Sequence, residues 1–350
     1  MIKSVSINGF KALDKLETVP LSKITLIGGK NNTGKTTFLE ALFFYLDFNY
    51  SAFIEKVLVW RDVNRASEVK EKWKKFFYNF DFSTDINILI NSEKKGNERL
   101  YINYINDYET SGPIQVIENG ITLFKRNFSS LEITHSCNDS IDYRAYILNQ
   151  GLNYNYLKEI DLLQDQPSGY YIGERMRLQD KNTEYLGILD KSDEQEKILP
   201  LLRIFEPNLI RLQTIPENGI NLIYADFGNR KKMPVNMLGD GFCRCLTIAL
   251  ILASKSAEIF LIDEVASGIH YSIQEDFWTF LVEASRLYEC QIIATTHSYD
   301  TIKAFNSIIN SNNPSDYAYI RFGKKDDIIK PYVFNAETLN YSISSDLEIR

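Results

Sequence analysis

The chain has 350 residues, 44% of them hydrophobic, so it can bury a large core and disorder is not its default state. Its net charge of −7 argues against a broad basic surface that coats nucleic-acid phosphates, although one basic groove is compatible with that total. No apolar run approaches the roughly 18 residues of a membrane span, and the first ten residues lack the apolar core of a signal peptide, so we expect a cytoplasmic protein without a membrane partner.

The amino-terminal part of the chain reads as strand, phosphate loop and helix. Met1 to Phe10 alternates as a strand does, and the apolar run Ile24 to Ile27 predicts a second strand. Gly29 to Thr36 then reads G-K-N-N-T-G-K-T, which matches G-x-x-x-x-G-K-[ST]. A helical pattern begins after Thr36, so the motif stands in the context that it requires, and a chance glycine-rich turn is the weaker interpretation.

In this loop, Gly29 and Gly34 would permit the turns that aim main-chain N–H groups at phosphate oxygens. Lys35 would contact the β and γ phosphates of ATP, and Thr36 would bind its magnesium ion. The predicted nucleotide-binding residues are Gly29, Asn31, Asn32, Thr33, Gly34, Lys35, Thr36 and Thr37.

The middle of the chain predicts two insertions. Residues 49–136 read as a helix followed by antiparallel strands, with Asn119-Gly120 between two apolar runs as a hairpin turn. Residues 137–204 are rich in tyrosine and less regular, and we expect them to be mostly helical, forming a lever or insertion.

The carboxy-terminal part predicts the rest of the nucleotide-binding core. Two runs flank Asn218-Gly219 as a second hairpin, and L-G-D-G-F at Leu238 to Phe242 opens an apolar helix. Ile259 to Ile262 and Gln291 to Thr296 are short and apolar, as parallel strands buried on both faces are.

Two acids and a histidine follow these buried strands. Asp263 and Glu264 end the first strand, where carboxylates are costly unless they hold a cation. Asp263 is therefore predicted as a magnesium ligand and Glu264 as the general base for an attacking water. His297 ends the second strand in T-T-H-S and is predicted to hydrogen-bond the γ phosphate during catalysis.

Together, G-K-N-N-T-G-K-T, L-G-D-G-F, L-I-D-E-V-A-S-G-I-H-Y-S and A-T-T-H-S resemble the ABC-type ATPases of the OLD-like AAA group. The resemblance implies an ATP-bound homodimer or higher homo-oligomer. In it, Gly239, Asp240 and Gly241 of one subunit face the phosphates held by Lys35 of the other, and Ser267 to His270 lie at the subunit contact. It also implies that Lys11, in the opening I-N-G-F-K, approaches the nucleotide.

The expected fold is one α/β P-loop ABC-type ATPase domain over 1–350. Its nucleotide-binding core, 1–48 and 205–350, has a mixed and mainly parallel sheet, to which the antiparallel β subdomain and the helical insertion are added. Members of the OLD group often carry a TOPRIM nuclease domain, but 53 residues follow His297 and no D-x-D occurs, so we expect none in this chain. A Q-loop glutamine has two candidates, Gln150 and Gln164.

Three functions compete. The first is an ATPase subunit of prokaryotic anti-phage defence, similar to the stand-alone ATPases of systems such as PARIS or Septu, which gates a separate effector such as a nuclease. The second is a DNA-repair ATPase similar to RecF that binds duplex DNA. The third, a transporter motor subunit, is disfavoured by the tyrosine-rich insertion. The basic run Arg230 to Lys232 is either a solvated hairpin tip or a phosphate contact.

Overall fold

The computed structural model describes residues 1–49, 68–118, 121–150, 153–173, 179–192, 194–217, 219–228, 231–254, 257–311, 313–326 and 328–350. The chain forms two compact units. Unit 1 consists of Met1–Leu21, Gly29–Gly169 and Ile320–Val333, and unit 2 of Ser22–Gly28, Tyr170–Tyr319 and Phe334–Arg350. The chain passes from unit 2 to unit 1 where the phosphate loop begins, between Gly28 and Gly29.

Unit 1 is built on an antiparallel sheet with the strand order β2-β1-β4-β5-β6-β7-β8. The predicted antiparallel segment is confirmed, and the pairing of Glu118 with Ile121 fits the two-residue turn expected at Asn119-Gly120, which lies outside the described residues. The strands are β1 Ile2–Phe10, β2 Leu13–Pro20, β4 Ile86–Ser92, β5 Gly96–Glu118, β6 Ile121–Cys137, β7 Ser140–Gln150 and β8 Asn153–Asp161.

The prediction that residues 137–204 are mostly helical is wrong in its first part. Residues 140–150 and 153–161 are the strands β7 and β8, which pair antiparallel and extend the sheet. Tyrosine favours strands, and β7 buries Tyr143 and every residue from Ala145 to Leu148, so its packing in the sheet outweighs the irregular pattern. Helices follow later as predicted, at α3 Gln179–Lys191 and α4 Gln195–Leu202.

Two helices of unit 1 are described. Helix α1, Lys35–Asp47, follows the phosphate loop, and the ring of its Phe44 meets Phe10 of β1 edge-on, with 5.0 Å between centroids. The helix predicted between about residues 50 and 80 is described only from residue 68, where α2 spans Val69–Lys74. Its earlier part lies outside the described residues.

A buried ionic cluster joins α1 to the antiparallel sheet within unit 1. His135 is fully buried, with Nδ1 2.6 Å from a carboxylate oxygen of Asp142 and Nε2 3.4 Å from one of Glu98, and it stacks on Phe48 at 5.0 Å. Burial alone would raise the pKa of Glu98, but hydrogen bonds from His135, Ser92 and Tyr45 outweigh it and lower that pKa below its ordinary value. The cluster therefore holds an ionised carboxylate away from water.

Unit 2 contains the predicted parallel strands. Strand β3, Ile24–Gly28, pairs parallel with β14, Gln291–Thr295, which pairs parallel with β13, Ile259–Ile262. Strand β9, Gly169–Ile172, lies beside β13, and β15, Tyr317–Lys325, begins beside β3. All residues of β3, β13 and β14 are buried, which explains their continuous apolar sequences.

Helices and a small antiparallel sheet complete unit 2. The predicted hairpin is confirmed as β10 Arg211–Glu217 and β11 Ile220–Asp226, with β12 Met233–Pro234 beside β11. Its remaining helices are α5 Asp240–Ser254, α6 Gln274–Leu287, α7 Tyr299–Ser311 and α8 Ala336–Ser344. Strand β16, Ile328–Phe334, belongs to unit 1 except for its last residue. Cys245 and Cys290 are buried, whereas Cys137 and Cys243 are half-buried, and burial raises the pKa of the Cys290 thiol to about 12. Among the described residues, no helix is both long and apolar enough to span a membrane.

Candidate active site

The phosphate loop needs its two predicted glycines. Gly29 and Gly34 have φ of 144° and 83°, which side-chain-bearing residues rarely adopt. A Cβ atom on Gly29 would also lie 2.6 Å from the carbonyl oxygen of Phe322 and 2.7 Å from Oγ1 of Thr33. The main chain is therefore packed too closely here for any other residue.

Lys35 is folded back onto the loop that precedes it. Its side chain is 6% exposed, and Nζ donates to the carbonyl oxygens of Gly29 and Lys30 at 2.8 and 2.9 Å. The hydroxyl of Thr33 donates to the same Lys30 carbonyl at 2.8 Å. The loop thus curls around a buried cation, an arrangement in which phosphate oxygens can replace main-chain carbonyls as acceptors.

The start of α1 supplies further donors. Phe38 makes the first bond of the helical ladder, donating to Gly34 at 2.8 Å, so the N–H groups of the three preceding residues have no acceptor within the helix. Thr36 and Thr37 lie in this first turn, whereas Asn31 and Asn32 are exposed on the loop. The glycine cradle, the buried ammonium and the N–H groups at the start of α1 together fit a nucleotide phosphate.

Lys11 lies against α1. Its Nζ is 2.9 Å from a carboxylate oxygen of the buried Glu40 and 5.0 Å from the ring centre of Phe76. Its contact with a nucleotide stays a prediction.

The predicted acids and histidine come together in unit 2. Asp263 is 8% exposed, and its two carboxylate oxygens accept from the Thr295 hydroxyl at 2.7 Å and the Tyr171 hydroxyl at 3.3 Å. Glu264 has a left-handed backbone, with φ of 45°, and its Oε2 lies 2.8 Å from Nδ1 of His297. Because an ionised carboxylate only accepts, Nδ1 of this histidine donates.

This arrangement fits a magnesium ion and a base. A buried carboxylate held by hydroxyl donors presents oxygen ligands, which Mg²⁺ prefers, so Asp263 is able to hold the ion. The role of Thr36 as a second ligand stays a prediction. Glu264, oriented by His297, can accept a proton from water.

Helix α5 begins in the L-G-D-G-F loop at Leu238 to Phe242, called the signature loop below, and carries a contact that was not predicted from the sequence. Arg244 of α5 donates from one guanidinium nitrogen to the carbonyl oxygens of Asp263 and Glu264, both at 3.4 Å. The signal was an arginine inside an otherwise apolar helix. A rigid element therefore connects the loop at Gly239 with the acid turn inside unit 2.

The signature loop itself is open to solvent. Gly239 and Asp240 are exposed, and a Cβ on Gly239 would meet nothing within 4 Å, although its φ of 94° favours glycine. Gly268, in the predicted contact segment Ser267 to His270, lies beside it, because a Cβ there would be 3.9 Å from Cβ of Asp240. Both predicted contact segments thus form one surface.

Gln166 and Lys232 make local contacts near two predictions that stay open, the Q-loop glutamine and the basic run. Gln166, which the sequence analysis did not select, donates to the carbonyl oxygen of Tyr45 on α1 at 3.4 Å. In the basic run, Lys232 hydrogen-bonds Gln213 and lies 3.9 Å from a carboxylate oxygen of Asp226, while Arg230 lies outside the described residues. Lys232 is thus engaged within its own hairpin.

Comparison with known proteins agrees with this reading of the fold. The chain is 23% identical to an ATP/GTP phosphatase of Helicobacter pylori over 99% of both chains. The SMC head bound to the C-winged helix domain of ScpA superimposes with a TM-score of 0.52 at 17% identity, covering 96% of this chain and 98% of that one. The SMC head domain from Thermotoga maritima gives 0.50 at 15% identity, over 95% and 99%.

The family model described as "AAA domain, putative AbiEii toxin, Type IV TA system" matches residues 24–302, from the strand before the phosphate loop to the helix after His297. The chain has an SMC-head-like fold and carries the phosphate-loop, acid and signature motifs. It belongs to this family of AAA domains and is an ATPase of the AAA/ABC type.

Proposed function

We propose that this chain is an ATP-binding and ATP-hydrolysing dimeric switch that senses a trigger and gates a separate effector protein, such as a nuclease, in prokaryotic anti-phage defence. The observation that carries the hydrolytic part is the bond between Glu264 and His297, which orients a carboxylate to take a proton from water. The name of the H. pylori relative, ATP/GTP phosphatase, agrees in chemistry. The switch acts in the cytoplasm with Mg²⁺ as its metal.

The exposed signature surface supports the proposed dimer. The N-terminus of α5 at Asp240 presents N–H groups that suit an anion, and Gly239 leaves space before it. In a symmetric dimer, each such surface would meet the nucleotide held by Lys35 of the other subunit. ATP then acts as the contact between subunits, and hydrolysis releases it.

The first test separates binding from hydrolysis. We expect Glu264→Gln to bind ATP with wild-type affinity but to lower kcat at least about 100-fold, because the amide cannot accept the proton of water. The variant is also expected to accumulate as an ATP-bound dimer, measured by light scattering after gel filtration.

The matched control is Glu289→Gln. Glu289 also has a left-handed backbone, with φ of 49°, but it is exposed after α6, so the same change there should leave hydrolysis intact. A Glu264→Gln protein that hydrolyses ATP at the wild-type rate, or stays monomeric with ATP, would contradict the proposal.

The effector and the alternative function are tested together. Co-expression with the product of the adjacent gene, with and without phage challenge, should protect cells only when Glu264 and Lys35 are intact. The RecF-like alternative instead expects ATP-dependent binding to duplex DNA that falls steeply with salt concentration. DNA binding without a protein partner would replace the effector proposal.

A further inference from the structure

The first threonine of A-T-T-H-S, Thr295, links both acids of the candidate site. Thr295 ends β14, one position after the pair formed by Ala294 and Ile262, so the parallel register places it beside Asp263. Its Oγ1 is 2.7 Å from Oδ1 of Asp263 and 2.9 Å from the main-chain nitrogen of Glu264.

The directions of these two bonds follow from the chemistry of the groups. The Asp263 carboxylate only accepts, so the single hydroxyl hydrogen of Thr295 points to Oδ1. The N–H group of Glu264 only donates, so it points to a lone pair of the same hydroxyl. The carbonyl oxygen of Thr295 also accepts from Val265 at 2.9 Å. One residue thus fixes a carboxylate and the main chain on both sides of the left-handed turn at Glu264.

A second hydroxyl holds the other oxygen of Asp263. Tyr171 of β9 is 6% exposed, and its OH lies 3.3 Å from Oδ2. In addition, the main-chain nitrogen of Asp263 donates to the carbonyl of Ile172 at 2.9 Å. The two strands that flank β13 therefore each place one hydroxyl on the carboxylate, which fixes its rotation about the Cβ–Cγ bond.

We infer that Thr295 and Tyr171 are positioning residues for the metal-binding carboxylate and that Thr295 also sets the orientation of the general base. The inference rests on the proposed function and adds two residues to it. Neither hydroxyl touches the nucleotide in this assignment. Each acts through Asp263 or Glu264, in the way that partners of metal ligands commonly tune affinity.

Conservative substitutions distinguish a positioning role of Thr295 and Tyr171 from a purely structural one. Valine has the shape of threonine, so Thr295→Val would fill the same buried volume and lose only the two hydrogen bonds to the acids. Thr295→Ser would keep them. Thr25→Val is the matched control, because Thr25 is equally buried on the neighbouring β3 but bonds the main chain of Ser22. For Tyr171→Phe, the control is Tyr170→Phe, because the Tyr170 hydroxyl lies 3.1 Å from the hydroxyl of Tyr185.

The test measures how tightly magnesium supports nucleotide binding, apart from turnover. A fluorescent ATP analogue is titrated onto the full chain at increasing Mg²⁺ concentrations and, separately, in excess EDTA. Thr295→Val should raise the Mg²⁺ concentration for half-maximal binding about tenfold, while binding in EDTA stays at the wild-type level. Tyr171→Phe should raise it about threefold, because its bond is longer. Thr295→Ser and both controls should match the wild type.

The possible results distinguish a failure of the inference from a failure of the proposed function. If Thr295→Val and Thr25→Val have the same Mg²⁺ dependence, Thr295 is not a positioning residue and the inference is overturned for it. If Thr295→Val does not fold, Tyr171→Phe against Tyr170→Phe decides the matter in the same assay. A wild-type chain that binds no nucleotide would overturn the proposed function itself, a result visible before any variant is compared.

Discussion

At the scale of the residue, Glu264 shows how the site sustains an unfavourable backbone. A left-handed conformation costs a residue with a side chain about 1 kcal/mol or more. Here the N–H groups of Glu264 and Val265 are both bonded to Thr295, and Ser267 donates to the carbonyl of Glu264 at 2.9 Å. These bonds stabilise a turn that directs the carboxylate of Glu264 to His297.

Glu98 gives a prediction about stability and pH at the same scale. Its pKa is lower in the folded chain than in the unfolded chain, so it stabilises the fold above the unfolded value near 4.3 and loses this contribution as the pH falls through its folded value. We expect Glu98→Gln to lower the free energy of unfolding by about 3 kcal/mol at pH 7, because His135 loses a buried partner. At pH 3 the difference should be much smaller.

Urea unfolding at both pH values measures this effect. Glu109→Gln on the same strand is the control, because Glu109 is exposed and should change stability little at either pH. A Glu98→Gln deficit that is equal at pH 7 and pH 3 would show that the charge of Glu98 is not its cause.

At the scale of the element, the strand before the phosphate loop and the signature loop use glycine for different reasons. A Cβ on Gly28 would lie 2.1 Å from the Tyr319 hydroxyl, whereas one on Gly239 would meet nothing within 4 Å. Gly28→Ala should therefore force core atoms apart and cost about 2–3 kcal/mol of stability. Gly239→Ala should cost about 1 kcal/mol, from its backbone conformation alone.

Urea midpoints of the two variants, compared with the wild type, check this order. Equal losses, or a larger loss at Gly239, would mean that the packing around Gly28 relaxes freely. The contrast also predicts that Gly239→Ala folds well enough for its effect on ATP-dependent dimerisation to be measured.

The sequence predicted elements whose burial is uniform and missed those whose burial alternates weakly. Strands β3, β13 and β14 were predicted because they are apolar throughout, and the pairings of β5 with β6 and of β10 with β11 were predicted from Asn-Gly between apolar runs. Strands β7 and β8 were missed because β7 is buried continuously from Ala145 to Leu148 and β8 is exposed or half-buried throughout, so neither shows a clear period of two. Thr295 and Tyr171 could not be selected, because the register that brings them to Asp263 depends on strands far apart in sequence.

At the scale of the whole molecule, the proposed dimer makes a prediction about mixed subunits. Lys35→Ala removes the phosphate-binding cation, and Gly241→Arg fills the start of α5, so each variant alone should be inactive. In an equal mixture, half of the dimers pair the two variants, and each such dimer has one intact site. ATP hydrolysis should therefore return to about a quarter of the wild-type rate.

The mixture is measured by phosphate release after the two proteins are combined and equilibrated. Lys35→Ala mixed with Lys35→Ala/Gly241→Arg is the control, because no intact site can form in it. Activity in that control, or none in the first mixture, would contradict sites shared between subunits.

The position of β3 in its sheet also has a consequence for biosynthesis. Its neighbours are β14 and β15, which follow it by more than 260 residues, whereas the antiparallel sheet of unit 1 is complete once residue 161 has been made. At about 5–20 residues per second, Ile24–Gly28 waits roughly 15–50 seconds for its first partner strand. The nascent chain therefore carries an unpaired apolar strand directly before the phosphate loop until residues 291–295 have been made, and nucleotide can stabilise the paired strand only from that point on.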